Sequence, residues 1–75
     1  MKSYNLQIFK ENNAEITFEQ SQGIDSNTRY SIKLNKDGKA YIAKDLEEDF
    51  YNLFLSRITA GEIVETIEEL IILIS

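Results

Sequence analysis

Two short alternating runs on either side of Asn35-Lys36-Asp37-Gly38 limit this chain more than any other feature. Tyr30, Ile32 and Leu34 precede the tetrapeptide, and Ala40 and Ile42 follow it, each one residue away from the next. A period of two is that of a half-buried strand, and Asp-Gly at a reversal is hairpin chemistry. The pattern also favours a register. A type I turn with Gly38 in the left-handed region makes a three-residue loop with a bulge, so that Asn35 faces Lys39, Leu34 faces Ala40 and Ile32 faces Ile42. Every aliphatic residue then shares one side, leaving Lys33 and Tyr41 together on the other. A two-residue Asp37-Gly38 loop would pair Lys33 with Ile42 and turn that set outward, so the bulged turn is expected.

The hairpin runs directly into a helix. Asp45 reads as its N-cap, with Glu48 closing a capping box. Leu46, Phe50, Leu53, Phe54 and Ile58 then form one apolar stripe to face the sheet. The helix ends near Ala60 and Gly61. Thr59-Ala60-Gly61-Glu62 has the spacing of a second capping box, and Ile63, Ile67, Leu70, Ile71 and Ile74 repeat at helical intervals behind it. A second helix packing back on the first follows. From Leu70 to Ile74 the chain is apolar all round, so Ile72 and Leu73 call for a groove that wraps them or a dimer partner. The isoleucines there leave a short final strand as the alternative.

Upstream, residues 3–10 read either as a strand, with Tyr4, Leu6 and Ile8 on its apolar face, or as a short helix, since Tyr4 with Ile8 and Leu6 with Phe9 also sit at helical spacing. Lys10 to Asn13 supplies turn chemistry, because asparagine tolerates left-handed backbone angles. Ala14 to Gln20 alternates again, with Ile16 and Phe18 opposite Glu15, Thr17 and Glu19. Residues 21–28 form a polar loop that exposes Asp25. The expected fold class is α+β, a small antiparallel β-sheet of three to four strands packed against two C-terminal α-helices. It forms a single domain over residues 1–75, in which 1–44 is mostly β-hairpins and 45–75 is the two helices.

A chain of 75 residues holds one compact core. It has neither cysteine nor histidine, which excludes Ser-His and Cys-His nucleophile pairs and the usual zinc ligand sets. No glycine-rich phosphate loop is present, the Asp37 turn lacks the oxygen ligands of a calcium loop, and the acids are expected on solvated faces. No enzyme, cofactor or metal is expected. Without a signal-like apolar run or a window of about 18 apolar residues, a soluble cytoplasmic protein is expected.

Charge is distributed unevenly. Residues 1–44 carry seven bases and five acids, whereas residues 45–75 carry only Arg57 against Asp45, Glu47, Glu48, Asp49, Glu62, Glu65, Glu68 and Glu69. A surface of that sign repels nucleic acid and anionic membranes and favours a basic partner. Glu47, Glu48 and Asp49 also suit the positive end of a helix dipole. Glu62, Glu65, Glu68 and Glu69 recur along the outer face of the second helix as an unpaired row, repelling one another by a few tenths of a kcal/mol per pair.

The order of elements, with Asp25-Ser26-Asn27, Asn35, Asp37-Gly38 and Tyr41 at its clearest points, resembles the small acidic phage-encoded anti-CRISPR proteins that inhibit type II Cas9. The similarity spans roughly residues 6–60. It implies a non-enzymatic inhibitor, acting in the host cytoplasm, that mimics DNA and blocks the basic surface through which Cas9 reads the PAM. Asp37 matches an acidic contact of that family and Asp25 a weaker one. The family's acid before the strand tyrosine is replaced by Ala40, and its long acidic loop between the last helices is absent. The expected partner is therefore a basic nucleic-acid-binding protein, the Cas9–guide RNA complex in its narrowest form, met by Asp25, Asp37, Glu47, Glu48, Asp49, Glu62, Glu65, Glu68 and Glu69. The alternative is a small homodimeric structural or regulatory protein joined through Ile72 and Leu73.

Overall fold

A computed structural model describes residues 4–22 and 27–75, with side chains from residue 6 onward. Asp25 lies outside the described residues. The elements are β1 (Tyr4–Glu11), β2 (Ala14–Gln22), β3 (Thr28–Lys36), β4 (Lys39–Leu46), α1 (Glu48–Thr59) and α2 (Ile63–Ile74). The strands form an antiparallel meander in the order β1-β2-β3-β4. Both helices follow the sheet in sequence and cover one of its faces, giving the α+β architecture. The first segment is a strand and the C-terminal end is helical.

The core lies between the inner face of the central strands and the helices. Ala14, Ile16 and Phe18 of β2 and Tyr30, Ile32 and Leu34 of β3 meet Tyr51, Phe54 and Ile58 of α1 and Ile67 and Leu70 of α2. Ile63, Ile71 and Ile74 pack at its margin, so the expected stripe of α2 is the one that is buried. Thr66 is also fully buried, its hydroxyl satisfied by donating to the Glu62 carbonyl at 2.6 Å.

The two tight turns differ in how well the sequence foretells them. Asn12 and Asn13 both have positive φ, as the asparagine chemistry implies. At the second turn the structure overturns the expected bulged loop. Asp37 (φ 52) and Gly38 (φ 78) form a two-residue loop closed by Lys36 opposite Lys39. Positive φ at both central residues is the type I′ geometry, whose twist matches that of the flanking strands. Leu34 therefore pairs with Tyr41, Lys33 with Ile42 and Ile32 with Ala43. Ile42 is turned outward, and Tyr41, expected beside Lys33, packs at the core margin instead. An edge strand tolerates this exchange because the aromatic ring buries more area than the isoleucine it displaces.

The same register explains Asp45. Between the pairs Ile32–Ala43 and Tyr30–Leu46, β3 has one residue and β4 has two, a bulge with Asp45 at φ 56. The extra residue returns Leu46 to the inner side. Asp45 is thus a bulge residue held by Arg29 at 3.1 Å, not the expected N-cap. Glu47 occupies the N-cap position, with no side-chain capping bond.

Two apolar faces are also reassigned. In β1, Leu6 and Ile8 are each 53% exposed, while Phe9 turns inward and meets the edge of Phe18 at 5.9 Å. The Tyr4 side chain lies outside those described. In α1, Phe50 and Leu53 are exposed, and the buried stripe is Tyr51, Phe54 and Ile58 with Leu55 beside it. The rotation places Tyr51 over Tyr30 at 4.3 Å between ring centroids.

Thr59 does not cap α2. Its hydroxyl donates back to the Leu55 and Ser56 carbonyls, and α1 closes through Gly61 N–H to Ile58 and Glu62 N–H to Arg57, a Schellman motif. Gly61 has φ 93, and a methyl group added there would meet nothing within 4 Å. Gly61→Ala should therefore cost about 1–2 kcal/mol from backbone strain alone. Urea titration should show a lower midpoint with an unchanged slope, and an unaltered midpoint would contradict this helix closure.

Candidate functional site

Among the described residues the anticipated acids lie at three places, the β3–β4 hairpin tip, the start of α1 and the row along α2. Asp37 is exposed at the tip of the β3–β4 hairpin, beside an open cleft of ≈ 520 Å³ lined by both tight turns, including Lys10, Glu11, Asn13 and Lys36. Glu47, Glu48 and Asp49 are exposed where β4 enters α1. They sit at the opposite end of β4, which at about 3.3 Å per residue separates them from Asp37 by roughly 25 Å. No single patch gathers them all.

The row on α2 is not unpaired. Arg57, in the last turn of α1, donates from Nε to Glu62 at 3.1 Å, from Nη2 to Glu65 at 3.3 Å and from Nη1 to Glu69. These bonds, first that to Glu69 and then that to Glu62, hold the guanidinium above its ordinary pKa. One planar fork thus fastens α1 to α2 and offsets repulsion among three of the four glutamates. Glu68 projects from the other flank of α2 and makes no ion pair among the described residues. Of the apolar pair, Ile72 is 77% exposed and Leu73 41%.

The uncovered face of the sheet has a different electrostatic character. Lys10 pairs with Glu15 at 3.4 Å, Lys33 with Glu19 at 3.2 Å and Arg29 with Asp45 at 3.1 Å. Ser31 also donates to Glu19 at 3.2 Å. Opposite charges alternate there across neighbouring strands and largely cancel. The helical layer from Glu47 onward, by contrast, carries seven acids and Arg57 as its one base.

Sequence reasoning overlooked Arg57 and the exposure of Phe50 and Leu53. A lone base in an acidic segment was a usable signal for the first. The second depended on the rotation of α1, which periodicity does not settle. Among the described residues no acidic cluster is arranged to hold a metal ion, and no helix is long and apolar enough to cross a membrane. The chain matches no family model, no curated protein and no solved structure.

Proposed function

We propose that the protein works by occupancy, as a non-enzymatic acidic inhibitor that covers a basic nucleic-acid-binding surface of another protein. In its narrowest form, drawn from the anti-CRISPR resemblance, the target is the PAM-reading region of guide-loaded Cas9. The observation that supports this reading is the segregation of charge. Unneutralised acids lie on the helical layer, while three bases of the open sheet face, Lys10, Arg29 and Lys33, are tied to acids of their own. Carboxylates facing arginines that await phosphate or base edges form charge-assisted hydrogen bonds of about 1.5–3 kcal/mol each, so a few of them compete with DNA.

With guide-loaded Cas9 and PAM-bearing DNA, excess protein should suppress cleavage, and raising salt should relieve the suppression steeply. Reversing Glu47, Asp49 and Glu68 to lysine, none of which holds an ion pair among the described residues, should abolish it. Undiminished cleavage would rule out Cas9 as the target. The exposure of Ile72 and Leu73 favours a second reading, a homodimer joined at the end of α2. Sedimentation distinguishes it, since Ile72→Glu should then convert a dimer to a monomer.

A further inference from the structure

Arg57 fixes which flanks of the two helices face each other. Phe50 and Leu53 precede it at helical spacing and so share its flank of α1. On α2, Leu73 follows Glu62 and Glu69 at intervals that place it on the flank Arg57 touches. The seam between the helices is therefore ionic at its closed end, near Gly61, and apolar at its open end. Phe50 (46% exposed), Leu53 (50%) and Leu73 (41%) line the apolar part, with Ile72 on the crest beside it. None of these side chains belongs to the core, which takes the other stripe of each helix. Uncommitted acids border the apolar stretch at the start of α1, Glu47, Glu48 and Asp49, while Glu65 and Glu69 along α2 are shared with Arg57.

We propose that this seam docks an amphipathic helix of a partner protein, with a Leu, Ile or Phe stripe against Phe50, Leu53 and Leu73 and Lys or Arg along its margins. Charge complementarity selects that occupant. A second copy bound about a two-fold axis would set the same acids against themselves. A basic helix instead meets the uncommitted acids at the start of α1 while its apolar stripe fills the groove. The proposal rests on the reading that the partner is basic, and adds the shape and the apolar component of the contact.

The probe is a synthetic Leu/Lys amphipathic helix of about 18 residues, five turns, followed by fluorescence anisotropy. Its comparators are a Lys/Ser peptide of equal charge and a Leu/Glu peptide of equal apolar pattern. The Leu/Lys helix should bind at least about tenfold more tightly than the Lys/Ser peptide, and the Leu/Glu helix should not bind. Leu53→Ser and Leu73→Ser, both at exposed positions and checked for folding by circular dichroism, should remove the advantage of Leu/Lys without changing Lys/Ser binding. Equal affinity for Leu/Lys and Lys/Ser would overturn the seam while leaving the basic-partner reading intact. Binding of Leu/Glu, or no binding of Leu/Lys, would overturn the proposal outright. A parent chain that sediments as a dimer and becomes monomeric in Leu73→Ser would make a second copy the occupant and overturn it as well.

Discussion

Phe18→Ala is expected to remove most of the stability margin of the fold, whereas Ile8→Ala should change it by no more than about 0.5 kcal/mol. Phe18 is completely buried at the middle of the inner sheet face, opposite Ile32 in register. Phe9 and Tyr51 each meet its ring edge-on with centroids 5.9 Å away, at 84° and 80°. Truncation loses the buried area and leaves a cavity, about 3–5 kcal/mol together, with both aromatic pairs lost in addition. A domain of this length has only about 4–11 kcal/mol in total. Ile8 lies one residue from Phe9 but on the open face of an edge strand, where alanine opens no cavity. Urea unfolding of the two variants is the check. Equal losses would mean that β1 presents Leu6 and Ile8 to the core, as its alternation first suggests, and that the register of β1 against β2 is wrong.

That contrast shows where the sequence is legible and where it stops. Strand and helix periods, the Asn12-Asn13 turn and the inner stripe of α2 follow from residue spacing because only one arrangement buries them. β1 is different, since an alternating strand has the same period whichever side faces inward. Its orientation is decided by the nonlocal contact of Phe9 with Phe18. In α1, apolar residues at 50, 51, 53, 54, 55 and 58 surround most of the helix, so two stripes fit equally and the stacking of Tyr51 on Tyr30 selects one. At the β3–β4 turn, aliphatic matching and turn chemistry favour different registers, and turn chemistry prevails. Asp-Gly fits a type I′ turn, and a bulge at Asp45 repairs the inward pattern one residue later.

The candidate site was legible as composition and not as geometry. Sequence gives the excess of acids after Asp45, but whether they repel or are bridged depends on two helices returning side by side. Only then does Arg57 lie within reach of Glu62, Glu65 and Glu69. The bridging changes which acids are free for a partner, leaving Glu47, Glu48, Asp49 and Glu68 as the least committed.

Tyr51→Phe is expected to stabilise the protein by about 1 kcal/mol at neutral pH, and by more as the solution becomes alkaline. Tyr51 is 2% exposed, and its hydroxyl is buried with no hydrogen-bond partner among the described residues. Phenylalanine removes that orphan group and keeps the ring against Phe18 and Tyr30. Burial, and secondarily the neighbouring Tyr30, raises the Tyr51 phenol above its ordinary value of 10.0. Tyr30 is raised too, by burial and then by Glu48. A folded state that holds a proton more tightly than the unfolded chain keeps this contribution in full below the unfolded pKa. It loses it as pH climbs past about 10, because the unfolded phenols ionise first. The parent should therefore weaken above that point, and Tyr51→Phe should weaken less, retaining only the slope due to Tyr30. Urea midpoints of the two proteins at neutral pH and above pH ~10 supply the measurement. A gap that stays constant between those conditions would mean that the Tyr51 hydroxyl reaches solvent. A variant less stable than the parent at neutral pH would mean that the hydroxyl has a partner whose loss outweighs its desolvation.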